Sequence, residues 1–209
     1  MRKAIGNLFI ILGTVFILGA LFLFLFNQQE ATEAETSSAA IIPELVEQII
    51  IARENSDPTM PPMPEIPEEF LSAEDLVMSE KIINGYAYIG HLHIPDLNLE
   101  LPIMSGWSSR QLQIAPCRFT GSVRGNDLVL MAHNFNSHFG RLSKLSEGSE
   151  VIFTDMDGTV WNYAVVAKDI LEPEAVEEMT AGEYDLTLFT CTRGGAHRVT
   201  IRCDRSDAA

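Results

Sequence analysis

The sequence predicts a small, mostly β domain, a barrel or a sandwich, held outside a membrane by one N-terminal helix. Three observations predict it. An uncharged apolar run fills Leu8 to Phe26 behind Arg2 and Lys3. Prolines crowd together at Pro58, Pro61, Pro62, Pro64 and Pro67. From Tyr86 onward, short β-patterned segments follow one another with few helical stretches between them.

The apolar run comes first. As a helix rising about 1.5 Å per residue it spans roughly 28 Å, close to the hydrocarbon thickness of a bilayer. Basic residues precede it and Glu30, Glu33 and Glu35 follow it. That asymmetry places residues 1–3 as a cytoplasmic tip, 4–26 as a transmembrane anchor and the remainder outside the cell membrane. A cleaved signal peptide has a shorter apolar region ending in small residues. This run ends in Phe24-Leu25-Phe26, with a weak cleavage site at Ala31 to Ala34, and its length favours an uncleaved anchor.

Residues 27–82 read as an acidic extracytoplasmic linker. They hold thirteen acids against two bases, −11 of a total net charge of −15, whereas residues 83–209 carry −6. Nucleic acid is excluded as a partner, because phosphate binding needs clustered Lys and Arg. Within the linker, Ile41, Ile42, Leu45, Val46, Ile49 and Ile50 recur at helical spacing, which predicts a helix over 41–52. Its apolar side fits the membrane, the downstream domain or a partner. The prolines after it make an extended spacer.

The domain itself is expected over 83–209. Leu92, Ile94, Leu97, Leu99, Leu101 and Ile103 surround a Pro-Asp turn, and further strands are expected at Asp127 to Ala132, Glu150 to Thr154, Val160 to Ala167, Leu186 to Thr190 and Val199 to Cys203. Asp155-Met156-Asp157-Gly158 is a hairpin signal. Arg110 to Gln113 and Pro173 to Met179 read as short helices.

The chemistry is carried by three separated places. Cys191 ends the strand Thr187-Leu188-Phe189-Thr190-Cys191, Arg198 opens the next strand, and His133-Asn134 follows the strand that ends at Ala132. A thiol becomes a useful nucleophile when a base or positive charge favours its thiolate. On the last strand, Arg198, Thr200 and Arg202 share one face, opposite Val199, Ile201 and Cys203. Arg198 is therefore free to face a groove while its neighbours pack inward. Cys117 and Cys203 are left as buried thiols or a disulfide, with a buried, inert Cys203 favoured by its place in the strand. His91 and His93 share a strand face but lack a third ligand at suitable spacing, so no metal is expected.

Together these residues resemble the sortase family of cell-surface transpeptidases, whose members carry a Thr-Leu-X-Thr-Cys strand, a downstream Arg and an upstream His-Asn. The resemblance runs from about Tyr88 to Asp204. It implies an eight-stranded β-barrel and a catalytic set of His133, Cys191 and Arg198, with Asn134 and Thr190 beside the substrate. It also implies cleavage of a C-terminal sorting signal similar to Leu-Pro-X-Thr-Gly on surface proteins, through a thioester. The acyl group then passes to an amine on peptidoglycan or a pilin of a Gram-positive-type cell, with no cofactor. The sequence departs from the family in having Ala132 before the histidine and Phe189 at X. Asp57-Pro58 resembles the Asp-Pro lid of pilus-building members, with Thr59 replacing the aromatic that follows, which suggests a lid over 55–70. Two other readings stand beside this one. An L,D-transpeptidase-like cross-linker also uses Cys and His, but in a Ser-X-Gly-Cys context that is absent here. The other is an anchored binding module without catalysis.

Overall fold

The computed structural model describes residues 2–55 and 77–206. It opens with a single helix, α1, Arg2–Asn55, about 80 Å long at 1.5 Å per residue. Its N-terminal half has the length and composition to cross a membrane. The large apolar side chains described there, from Ile10 to Phe26, are all exposed, and none belongs to a buried apolar cluster.

The other half of α1 docks on the domain. Ala34, Ser38, Ile41, Leu45 and Ile49 are buried. Their spacing of three and four residues traces one face of a helix. Ile41, Leu45 and Ile49 pack with Ile83, Tyr88, Met104, Leu112, Cys117 and Met156. Each such aliphatic side chain contributes about 1.5–3 kcal/mol on full burial. Of the three surfaces open to the stripe over 41–52, it lies on the domain. The stretch expected as linker is helical as far as Asn55. The proline-rich spacer and the lid suggested at Asp57-Pro58 lie outside the described residues.

Among the described residues nine strands follow: β1 Lys81–Ile83, β2 Tyr86–Ile94, β3 Leu99–Met104, β4 Cys117–Thr120, β5 Leu128–Met131, β6 Glu150–Asp155, β7 Val160–Leu171, β8 Leu186–Cys191 and β9 Arg198–Arg205. The sheet order is β1-β2-β3-β4-β5-β8-β9-β7-β6, and β2 also pairs with β6. That pairing closes β2 to β9 into an eight-stranded barrel, with β1 appended to β2. Only β3–β4 and β5–β8 are parallel. Two short helices, α2 Ser109–Leu112 and α3 Val176–Met179, sit in connections.

Closure depends on β2 serving two neighbours. Its outer half pairs with β3 and β6 at once, from Gly90 to His93. At Gly90 a Cβ would lie 2.2 Å from the Thr154 carbonyl oxygen, so only glycine lets β6 approach this closely. The interior is filled by alternate residues, among them Leu92, Ile94, Leu128, Leu130, Phe153, Leu186, Leu188, Ile201 and Cys203. The predicted hairpin joins β6 to β7. There the Asp155 carboxylate accepts from the amides of Asp157 and Thr159 and from the Trp161 indole.

Candidate active site

Strand β8 is the centre of the site, with β5 on one side and β9 on the other. The parallel register aligns Met131 with Phe189, and continuing it by two residues sets His133 beside Cys191. Three hydrogen bonds hold the two chains together across this extension. The Ala132 amide donates to the Phe189 carbonyl (3.3 Å), the Thr190 hydroxyl donates to the Ala132 carbonyl (2.8 Å), and Asn134 Nδ2 donates to the Thr192 carbonyl (3.3 Å). On the other side, Cys191 pairs directly with Arg198. The order across the neighbouring segments is His133 just past β5, Cys191 at the end of β8 and Arg198 at the start of β9.

Cys191 and Arg198 belong to the outer face. Leu186 and Leu188 enter the barrel interior, whereas Phe189 packs outside it with Val129 and Met179. Cys191 follows Phe189 in alternation. In β9, Val199, Ile201 and Cys203 point inward, which leaves Arg198 outward, as the pattern predicts.

After His133 the chain folds back on itself. The Phe139 amide donates to the His133 carbonyl (3.2 Å), and the amides of His138 and Gly140 both donate to the Phe135 carbonyl (3.0 and 2.9 Å). A cleft of about 780 Å³ opens between this loop and the end of β8, and its wall includes Asn134, Thr190, Cys191, Arg193 and, from α1, Glu35. His133 and Arg198 flank Cys191 in register but are not part of that wall. The Arg198 guanidinium is turned toward its own loop, donating to the carbonyls of Gly195 (3.2 Å) and His197 (3.3 Å). Thr190 is buried and its hydroxyl is committed to Ala132, so it holds β8 against the histidine segment.

Burial sorts the cysteines. All three are free, and only Cys191 reaches solvent. Burial pushes the Cys117 thiol up to about 12 and raises Cys203 further. Burial also lowers His133 below the usual imidazole range, opposed by the charge of Glu30 on α1. Of the other arginines near the site, Arg202 is buried and engaged by Asp169, Thr187 and the carbonyls of Glu178 and Met179. Arg193 has no hydrogen-bonding or ion-pair partner among the described residues and lines the cleft.

Sequence patterns did not single out the contribution of α1. Glu35 lies in the cleft wall, the charge of Glu30 acts on His133, and Ser38 reaches His138. The only local signal was a second histidine five positions after His133.

Comparison with known proteins settles the family. The model of the sortase domain matches residues 92–206. The chain belongs to the sortase family. A curated relative, sortase A of Streptococcus agalactiae serotype III (strain NEM316), is 27% identical over 138 residues, covering 58% of this chain and 54% of the relative. The chain therefore spans about half the length of the curated relative it matches. Among solved structures, sortase C of Streptococcus pneumoniae superposes with a TM-score of 0.54 at 25% identity, over 79% of this chain and 90% of that one. Sortase A from Corynebacterium diphtheriae gives 0.55 at 20% identity, over 91% and 97%. At that identity the second likeness speaks for the fold alone, and it is the eight-stranded barrel expected of this sortase.

Proposed function

We propose that this sortase is a membrane-anchored cysteine transpeptidase that cleaves a C-terminal sorting signal of surface proteins and transfers the acyl part to an amine. The observation that supports this reading is that Cys191 pairs with Arg198 across β8 and β9, while the end of β8 is hydrogen-bonded to the segment that leads from β5 into His133.

Chemistry assigns the roles. The Cys191 sulfur attacks the scissile carbonyl while its proton passes to His133, whose burial keeps the resting imidazole neutral at pH 7. The tetrahedral oxyanion needs donors, and Arg198 supplies a planar fork that stays charged. Its guanidinium leaves the carbonyls of Gly195 and His197 to do so. The C–N bond then breaks, and the imidazolium returns its proton to the departing amine. An incoming amine on peptidoglycan or a pilin reverses the sequence. It gives a proton to His133, forms the new amide and releases the Cys191 thiol. Asn134 and Thr190 lie at the substrate's edge of the cleft, Thr190 through the backbone it fixes. Residues 4–26 anchor the enzyme with its N-terminus in the cytoplasm and the barrel outside.

The test is cleavage of a sorting-signal peptide library by the detergent-solubilised chain, read by mass spectrometry with and without added amine. Wild type yields hydrolysed product alone and amide product with amine, and Cys191→Ala yields neither. Retained cleavage by Cys191→Ala ends the assignment.

A further inference from the structure

Ser38 of α1 is buried, with its Oγ 2.6 Å from the Ile114 carbonyl and 3.2 Å from His138 Nε2. A hydroxyl owns one proton, and a carbonyl can only accept. The proton therefore goes to Ile114, and Ser38 accepts from His138. This fixes His138 as the neutral tautomer protonated on Nε2. The Ala34 carbonyl on α1 also favours a proton on this ring. Its other nitrogen, Nδ1, is buried with no hydrogen-bond partner. A leucine would fill the same space without an unpaired nitrogen, so what the imidazole adds is its N–H to α1.

The same ring is tied to His133. Phe135 lies between the two imidazoles, its centroid 5.0 Å from that of His133 and 5.7 Å from that of His138. The His138 amide donates to the Phe135 carbonyl, and the next amide, Phe139, donates to the His133 carbonyl. A displacement of His138 is passed to His133 through both backbone and ring. The groups facing this pair from the packed elements are Ser38, the Ala34 carbonyl and Glu30 on α1, and Phe135 within the loop.

We propose that Ser38 and His138 form a latch through which docked α1 sets the position of His133, so that α1 completes the active site as well as tethering it. Both are positioning residues, and the role of His133 itself rests on the function proposed above.

The test uses the full chain in detergent micelles, with Ser38→Ala, His138→Leu and His138→Gln. Glutamine keeps an N–H at the position of Nε2. Ser38→Ala and His138→Leu are expected to lower kcat for peptide cleavage about tenfold or more with KM held within twofold, as misplacement of a catalytic group does. His138→Gln is expected to recover most of the loss. NMR titration of the His133 imidazole supplies a readout independent of turnover: its pKa rises toward about 6.5 when the latch is cut. An unmoved His133 titration in folded Ser38→Ala overturns the latch whatever the activity. If His133 moves while even wild type cleaves no peptide, the latch stands and the proposed chemistry falls. Should His138→Leu not fold, Ser38→Ala alone decides.

Discussion

Gly140→Ala puts the histidine loop under a defined load. A Cβ at this position would lie 2.3 Å from the Asn134 carbonyl oxygen, 2.7 Å from its carbon and 2.7 Å from the Phe135 carbonyl oxygen. All three are backbone atoms, so no rotamer change relieves the contact. Ordinary van der Waals separation requires roughly 1 Å of movement. Behind Gly140 stands Phe139, wholly buried in the barrel core, so the loop at Asn134 is the part that yields. Asn134 follows His133 directly and bonds the Thr192 carbonyl beyond Cys191. Overpacking of this kind costs about 1–3 kcal/mol of stability, which leaves a domain of ordinary stability folded. A 1 Å error at a reacting group costs about 10² in rate. The expected outcome is a modest fall in melting temperature and a loss of about a hundredfold in kcat, with KM for a sorting-signal peptide little changed. Full activity in a folded Gly140→Ala enzyme would show that the position of His133 does not matter to turnover.

Acid should weaken the fold through His138. Its pKa is lowered to about 4, first by burial and then by His133. The unfolded chain, with a value near 6.5, binds the proton more readily. The stability tied to the neutral ring is therefore complete above about pH 6.5 and is lost as pH falls toward 4. A shift of this size amounts to about 3 kcal/mol. His133 shifts in the same direction, so denaturant unfolding between pH 7 and 4.5 should show the drop, and His138→Gln should flatten most of it. The thiols should separate by reactivity. Iodoacetamide at pH 8 is expected to modify Cys191 in the native chain and to spare Cys117 and Cys203, which burial keeps protonated. In denaturant all three should react, and mass mapping of the modified peptides checks both statements.

Much of the barrel was legible as alternation. Strands β6, β8 and β9 fall where apolar residues alternate onto one face, and β5 is a short continuous apolar run. Two strands were not. Cys117–Thr120 follows Pro116 and has no alternation of its own, and Lys81–Ile83 is only three residues long. Periodicity could not choose between barrel and sandwich, because closure rests on β2 pairing with both β3 and β6 past Gly90. The buried stripe of α1 was visible at Ile41, Leu45 and Ile49. It went unseen at Ala34 and Ser38, since small side chains carry little hydrophobic signal although they let the helix approach the cleft. The motif residues pointed to the site through their resemblance to a family. The role of His138 was hidden for a different reason: its hydrogen-bonding partner, Ser38, is 100 residues away in sequence.

In the proposed mechanism the Cys191 sulfur carries the acyl group. The direct measurement is intact-protein mass spectrometry after rapid acid quench of the enzyme with a sorting-signal peptide, followed by peptide mapping. The expected result is a hydroxylamine-labile adduct equal to the acyl fragment, located on Cys191 and discharged by added amine. Product formation with the adduct on another residue, or with no adduct in an enzyme quenched during turnover, would contradict it.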